Sequence, residues 1–324
     1  MLQEWKERMY SELAYTLSET GNAMQAFSMI EELVKTRDHN NFRMIELMTH
    51  FKWILKGVPV GPFFGDVSLN ETSINYPDWA PRDTTGIVFQ VCAGMFTVDP
   101  RLAAKLKCRF TTKNSPLFVL SPLKEEELHL NPNVMFYHNF ITNSEIDKIM
   151  DTVYGQMMDS TVQNTSGSRK KSLFRASKTY FADREEFGLD SLDKRSETLV
   201  GLNSETEEQT QVVYYDAGGY YDAHYDMYSA DFIKKNGNRM TTLLFYLNDV
   251  DAGGETVLYD LHVVVKPEKG GALVWDNTKR SGLLNEWAGH AACPVISGHK
   301  WIATKWFHYQ GQMFHRPCTR FEHE

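Results

Sequence analysis

Apolar positions early in the chain recur at helical spacing. Trp5, Met9, Leu13 and Leu17 fall every four residues and line one helix face. Gly21-Asn22 breaks that run, and Ala26, Phe27, Ile30, Leu33 and Val34 form a second stripe. Phe42, Ile45, Met48 and Ile54 predict a third helix, ending at Lys56-Gly57 ahead of Pro59. From about residue 108 the pattern changes to short apolar and β-branched runs: Leu117–Leu120, Val134–Tyr137, Thr179–Phe181, Gln211–Tyr215, Thr241–Leu247, His262–Val265, Ala272–Trp275 and Trp301–Trp306. Gly, Asn, Asp and Pro separate them, and helical patches interrupt near 143–158 and 190–202. Many short strands after a helical preface predict an α+β chain whose main body is a β-sandwich or barrel.

The spacing of Leu13-Ala14, Leu17, Gly21, Ala26, Ile30 and Leu33 resembles one tetratricopeptide repeat: small and apolar residues where two antiparallel helices touch, glycine at the turn. A generic helical hairpin fits the same pattern. Either unit has to pack on something else to cover its apolar face. The expected organisation is a helical segment over 1–57, a linker over 58–107 punctuated by Pro59, Pro62, Pro77, Pro81 and Pro100, and a main domain over 108–324. The polar stretch Asp159–Lys171 reads as a mobile loop.

Composition narrows the function classes. The 324 residues are 42% hydrophobic and 23% charged, enough to bury a core. No stretch approaches the roughly 18 apolar residues of a membrane span. The net charge of −8, without a long basic run, argues against a nucleic-acid partner. Four cysteines, none in a CxxC pair, exclude a zinc ribbon and a disulfide-built scaffold. Met1–Lys6 show no leader pattern of basic flank and apolar core, which taken alone implies the cytosol. Asn70-Glu71-Thr72 and Asn164-Thr165-Ser166 fit the glycosylation sequon.

The chemistry concentrates in Tyr220–Asp226, where His224 and Asp226 stand two apart. On a strand, residues i and i+2 share a face, so an imidazole and a carboxylate can reach one metal ion. By itself His-x-Asp is a weak signal. It gains weight from His290 downstream and from Lys300 ten residues after that, at the start of a strand. That order fits the two-histidine, one-carboxylate facial triad of non-haem Fe(II) oxygenases. Three coordination positions stay open, for the keto-acid end of 2-oxoglutarate and for O₂. Lys300 supplies a fixed cation for the other carboxylate. Lys305, an odd distance from Lys300, should point the opposite way. His138, His262, His299 and His315 belong to no motif and read as surface residues.

These strings resemble the catalytic alpha subunit of collagen-type prolyl 4-hydroxylases, within the 2-oxoglutarate/Fe(II) dioxygenase superfamily. The resemblance rests on Tyr215–Asp226, Gly237–Arg239, Phe245–Val250, Gly253–Val257 and His290–His308, and extends weakly back to Cys108-Arg109-Phe110 and Arg175–Lys178. It implies a double-stranded β-helix (jelly roll) and procollagen-proline 4-dioxygenase activity on X-Pro-Gly-type peptides. It implies His224, Asp226 and His290 as Fe(II) ligands, with Lys300, Thr256 and Tyr215 holding 2-oxoglutarate. Tyr221, Arg239, Trp306 and His308 would line the substrate channel, and ascorbate would restore oxidised iron.

The resemblance further implies disulfides Cys92–Cys108 and Cys293–Cys318, hence the endoplasmic reticulum lumen, and a protein disulfide isomerase partner. Four buried free thiols are the plain alternative. A non-catalytic jelly-roll binding subunit, a dioxygenase for a non-collagen proline-rich protein, and a zinc hydrolase remain competing functional readings.

Overall fold

The computed structural model describes residues 88, 91–94, 100–163, 169–170, 175–205, 207–227, 237–312, 314–319 and 321. The tetratricopeptide-like segment, most of the linker and both sequon asparagines lie outside the described residues.

Short strands dominate, because β-branched and aromatic runs are bounded by turn-forming residues. They are β1 (Cys108–Thr111), β2 (Leu123–Leu130), β3 (Asn133–His138), β4 (Met158–Asp159), β5 (Val162–Gln163), β6 (Arg169–Lys170), β7 (Arg175–Ala176), β8 (Lys178–Ala182) and β9 (Thr210–Tyr215). Then come β10 (Tyr220–His224), β11 (Arg239–Tyr246), β12 (Ala252–Gly253), β13 (Thr256–Leu258), β14 (Val263–Val265), β15 (Ala272–Asp276), β16 (His290–Ala292), β17 (Val295–Ser297) and β18 (Lys300–His308). The helices are α1 (Pro100–Ala103), α2 (Asn143–Val153), α3 (Arg184–Phe187) and α4 (Asp190–Val200).

Nine strands form one sheet in the order β1-β2-β3-β15-β11-β18-β9-β8-β4, and five form another, β14-β13-β16-β10-β7. The strand pairings among the described residues are all antiparallel, including β11 with β18 and β10 with β16. Successive side chains of the large sheet split between two cores. Phe136, Val213, Leu244, Tyr246 and Ile302 pack against Leu258, Val263, Val265 and Ala292 of the small sheet. Their neighbours Met135, Tyr137, Val212, Leu243, Phe245 and Ala303 pack instead under Ile146, Ile149 and Val153 of α2 and Leu192 and Leu199 of α4. Two facing antiparallel sheets with helices on one outer face make the expected jelly roll, within an α+β chain.

Local chemistry sets the helix that braces this back face. Thr142 caps α2 through a reciprocal capping box with Glu145. Glu145 is also held by Arg195 of α4 at 2.9 Å, which ties the two helices together.

Several sequence expectations change. The Leu117–Leu120 run is not a strand: Pro116 starts a 3₁₀ turn, Pro116–Phe118, whose cap is the Ser115 side chain. Proline lacks the N–H a ladder needs, and only Phe118 of the turn is buried. Within the Asp159–Lys171 stretch, β5 and β6 pair as a hairpin. His138, far from idle, bridges Glu126 (3.0 Å) and Glu268 (2.9 Å).

The disulfide expectation is overturned. Cys92 pairs with Cys293, while Cys108 and Cys318 are free and exposed. The outer face of the small sheet explains this. Val257 and Ala291 there form an apolar cluster with Val88 and Val91, which brings Cys92 onto Cys293 just after β16. Cys108 instead lies on β1, at the far edge of the large sheet. Cys318 sits beside Tyr309, whose hydroxyl is 2.9 Å from its sulfur.

Candidate metal centre

β10 and β16 are antiparallel neighbours, with His224 directly opposite His290. Their rings are 4.2 Å apart. Asp226 lies two residues beyond the end of β10, so its position comes from the turn after the strand rather than from strand alternation. It still converges. His224 Nε2 is 3.9 Å from Asp226 Oδ1, and His290 Nε2 is 3.6 Å from Asp226 Oδ2. Ligand atoms of all three lie within 4.8 Å of one another, the one such group among the described residues.

Backbone carbonyls orient the imidazoles. His224 Nδ1 donates to the Asp222 carbonyl at 2.7 Å, and His290 Nδ1 to the Ala288 carbonyl at 2.9 Å. Each Nε2 lone pair is thereby aimed at the shared space, the tautomer a metal ligand needs. Burial, reinforced by the facing His290, holds the His224 pKa well below its usual range, so the ring is neutral. The Asp226 carboxyl is buried, which alone would raise its pKa. The opposing pull of His290, His224, Arg239 and the Trp306 N–H wins and keeps it ionised. Two imidazoles with Nε2 turned inward and one carboxylate, clustered and dry, suit a divalent metal such as Fe(II).

Surrounding side chains hold this trio. Tyr221 stacks on His224 at 3.6 Å between centroids, and the Arg175 guanidinium caps Tyr221 at 4.5 Å. Trp275 lies edge-on to His290 at 4.8 Å. Trp306 Nε1 donates to Asp226 Oδ2 at 2.9 Å, and Arg239 stacks on the Trp306 ring at 3.6 Å. Arg239 and His308 share Glu208: Arg239 Nη2 donates to Oε2 at 2.7 Å and His308 Nε2 meets Oε1 at 2.7 Å. Gly289, just before His290, packs so closely on Tyr259 that an added Cβ would fall 2.1 Å from its hydroxyl oxygen.

The same inter-sheet space holds a buried cation. Lys300, the first residue of β18, is fully buried. Its Nζ donates to Thr256 Oγ1 at 3.2 Å and lies 5.5 Å from the Tyr215 ring and 5.7 Å from the Tyr246 ring. Among the described residues no carboxylate forms a salt bridge with it, and burial lowers its pKa to about 7, against a smaller upward pull from Glu255. The buried Tyr246 hydroxyl adjoins Thr256 as well. An ammonium, a hydroxyl and a phenol grouped there fit the outer carboxylate of an oxo-dicarboxylic acid.

The residues expected to hold iron and 2-oxoglutarate and to line the channel thus gather around one space, whereas the four cysteines do not. Five contributors were missed: Thr242, Asn277, Tyr246, Arg175 and Glu208. Thr242 and Tyr246 had a readable signal, since they alternate with Leu244 on the inward face of β11. Asn277, Arg175 and Glu208 arrive from separate loops and strands, with no local pattern to mark them.

Residues 210–308 match the family model described as the 2OG-Fe(II) oxygenase superfamily. Among curated proteins, prolyl 4-hydroxylase subunit alpha-2 of Caenorhabditis elegans is 32% identical over 332 residues, covering 98% of this chain and 59% of that one. Prolyl 4-hydroxylase subunit alpha-1 of Homo sapiens is 37% identical over 235 residues, covering 70% and 44%. The chain therefore spans about half the length of such relatives. A viral collagen prolyl hydroxylase from Paramecium Bursaria Chlorella virus-1, solved with 2OG, aligns at 23% identity and TM-score 0.42, covering 53% of this chain and 94% of that one.

Proposed function

We propose that residues 210–308, which match the 2OG-Fe(II) oxygenase superfamily model, form a catalytic domain that hydroxylates C4 of proline in X-Pro-Gly-type peptides. The reading rests on the convergence of His224, Asp226 and His290 in the same inter-sheet space as the buried, carboxylate-free Lys300. His224, Asp226 and His290 hold Fe(II), and Lys300, Thr256 and Tyr215, joined by Tyr246, hold 2-oxoglutarate. The bound metal and oxo-acid supply the oxidising chemistry: O₂ is split between the substrate C–H bond and 2-oxoglutarate, which leaves as succinate and CO₂.

The chain's own residues orient and exclude. The Nδ1 bonds to backbone fix both imidazoles before metal arrives, so little reorganisation is needed on binding. Lys300 and Thr256 anchor the oxo-acid by its remote carboxylate and so orient its keto end. Tyr221 and Trp306, with Arg175 and Arg239 packed on their rings, wall the metal ligands and keep water away from the reacting C–H. Arg239, clamped together with the buried His308 on Glu208, is the polar group placed to meet the peptide backbone.

A proline-rich or collagen-like peptide is the proposed substrate and ascorbate the proposed rescuer of oxidised iron. The endoplasmic reticulum lumen, N-glycosylation and a protein disulfide isomerase partner complete the proposal. The names of the curated relatives and the disulfide support it. The test is succinate release with and without a (Pro-Pro-Gly)-type peptide, paired with mass analysis of the peptide. Peptide-dependent succinate and a matching +16 mass shift are expected, and both should vanish in His224→Ala. Succinate release that ignores the peptide would move the substrate to another proline-rich protein. Turnover surviving in His224→Ala would overturn the reading.

A further inference from the structure

Asp226 has two oxygens, and the protein treats them differently. Oδ2 accepts from Thr242 Oγ1 at 2.8 Å and from Trp306 Nε1 at 2.9 Å. Among the described residues Oδ1 has no such donor: its neighbours are His224 Nε2 at 3.9 Å and Arg239 Nη1 at 4.0 Å, while Oδ2, besides its two donors, lies 3.6 Å from His290 Nε2. Behind Thr242 stands Asn277, whose Nδ2 is 2.7 Å from the same hydroxyl. Thr242 is fully buried and Asn277 is 1% exposed. The chain Asn277–Thr242–Asp226 is therefore shielded from bulk solvent.

Donor and acceptor chemistry gives this chain one direction. An ionised carboxylate only accepts, so the single Thr242 proton has to go to Asp226. The Asn277 atom facing Thr242 is then its amide N–H, which only donates. With its lone pair so engaged, the hydroxyl cannot turn its proton away from Asp226. Asn277 is itself held: its N–H donates to the Met240 carbonyl (2.8 Å) and its C=O accepts from Asn285 (2.9 Å). Its Oδ1 is buried without a hydrogen-bonded partner, so the amide is placed for what its nitrogen does.

We propose that Thr242 and Asn277 are positioning residues that lock one oxygen of Asp226 into protein hydrogen bonds and so dedicate the other to the metal. The assignment rests on the metal-binding reading above but concerns residues that touch neither metal nor substrate. The carboxylate binds monodentately and cannot swing to a chelating pose, which would occupy a position the cosubstrates need.

The test measures Mn(II) affinity of the full chain by electron paramagnetic resonance, with apo-protein melting as the fold control. Thr242→Val keeps the shape and removes the hydroxyl. It should weaken Mn(II) binding about 10- to 100-fold, and Thr242→Ser should restore most of it. Asn277→Leu should weaken binding by a smaller factor. The double variant should be no worse than Thr242→Val alone, because both act through one hydroxyl. Bound Mn(II) in Thr242→Val should also show a changed zero-field pattern. Wild-type Mn(II) binding that Thr242→Val matches would overturn this proposal alone, as would additive losses in the double variant. Failure of the wild type to bind Mn(II) would instead remove the metal-binding reading itself.

Discussion

Lys300 concentrates the residue-scale physics. A fully buried ammonium without a carboxylate partner is costly, and burial lowers its pKa to about 7. Its folded pKa lies below the unfolded one, so the stability penalty is fully present below about pH 7. It is relieved as pH rises towards the ordinary lysine range, where the unfolded chain binds the extra proton. An arriving dicarboxylate reverses the balance and favours the charged form. 2-Oxoglutarate binding to the metal-loaded protein should therefore take up a proton near pH 7 to 8. Its affinity should fall as pH rises above about 7, by up to about tenfold per unit. Calorimetry in buffers of different ionisation heat reads the uptake directly. Equal heats in all buffers would contradict it. Lys300→Met should melt higher than wild type yet bind 2-oxoglutarate far more weakly, because the cost and the use of the ammonium sit in one atom.

At the scale of elements, β16 carries the heaviest demands. It supplies His290, its end is tied to Cys92, and Gly289 lets Tyr259 close against its start. Gly289→Ala must push Tyr259 or the strand aside. The expected loss is about 1–3 kcal/mol of stability, together with weaker metal binding because His290 moves with its neighbour. Urea unfolding and Mn(II) titration on one preparation check both. For the disulfide, alkylation before reduction should label Cys108 and Cys318, and Cys92 and Cys293 only afterwards. Cys92→Ser should cost about 2–4 kcal/mol. Labelling of Cys293 in the unreduced protein would contradict the observed pairing.

The whole molecule uses the two faces of β18 for different work. Lys300 faces the site, while Lys305 points to the helical side and meets Asp193 at 2.8 Å and Glu207 at 3.1 Å. Arg184 adds a further bond to Asp193 at 2.8 Å. Removing the central cation leaves two largely buried carboxylates with less compensation. Lys305→Met should lower stability by about 3–5 kcal/mol, while the folded fraction keeps wild-type Mn(II) affinity. A matching loss of metal affinity would show that the two faces are coupled.

Much of this was legible along the chain. Short apolar and β-branched runs between turn residues located β3, β8, β9, β11, β15 and β18, because strands covered on both faces read as near-continuous apolar stretches, and helical patches located α2 and α4. The order His224, Asp226, His290, Lys300 was readable because each residue's chemistry is scarce and their spacing is unusual. The sequence also separated Lys300 from Lys305 by parity alone. Tertiary structure decided what no spacing encodes. Which cysteine meets which depends on what packs on the outer face of the small sheet. Asp226 reaches the site through a turn, where alternation no longer holds. Thr242 and Asn277 become partners only when β11 and β15 pair side by side, since a hydrogen bond depends on distance in space and its members carry no mark in the chain.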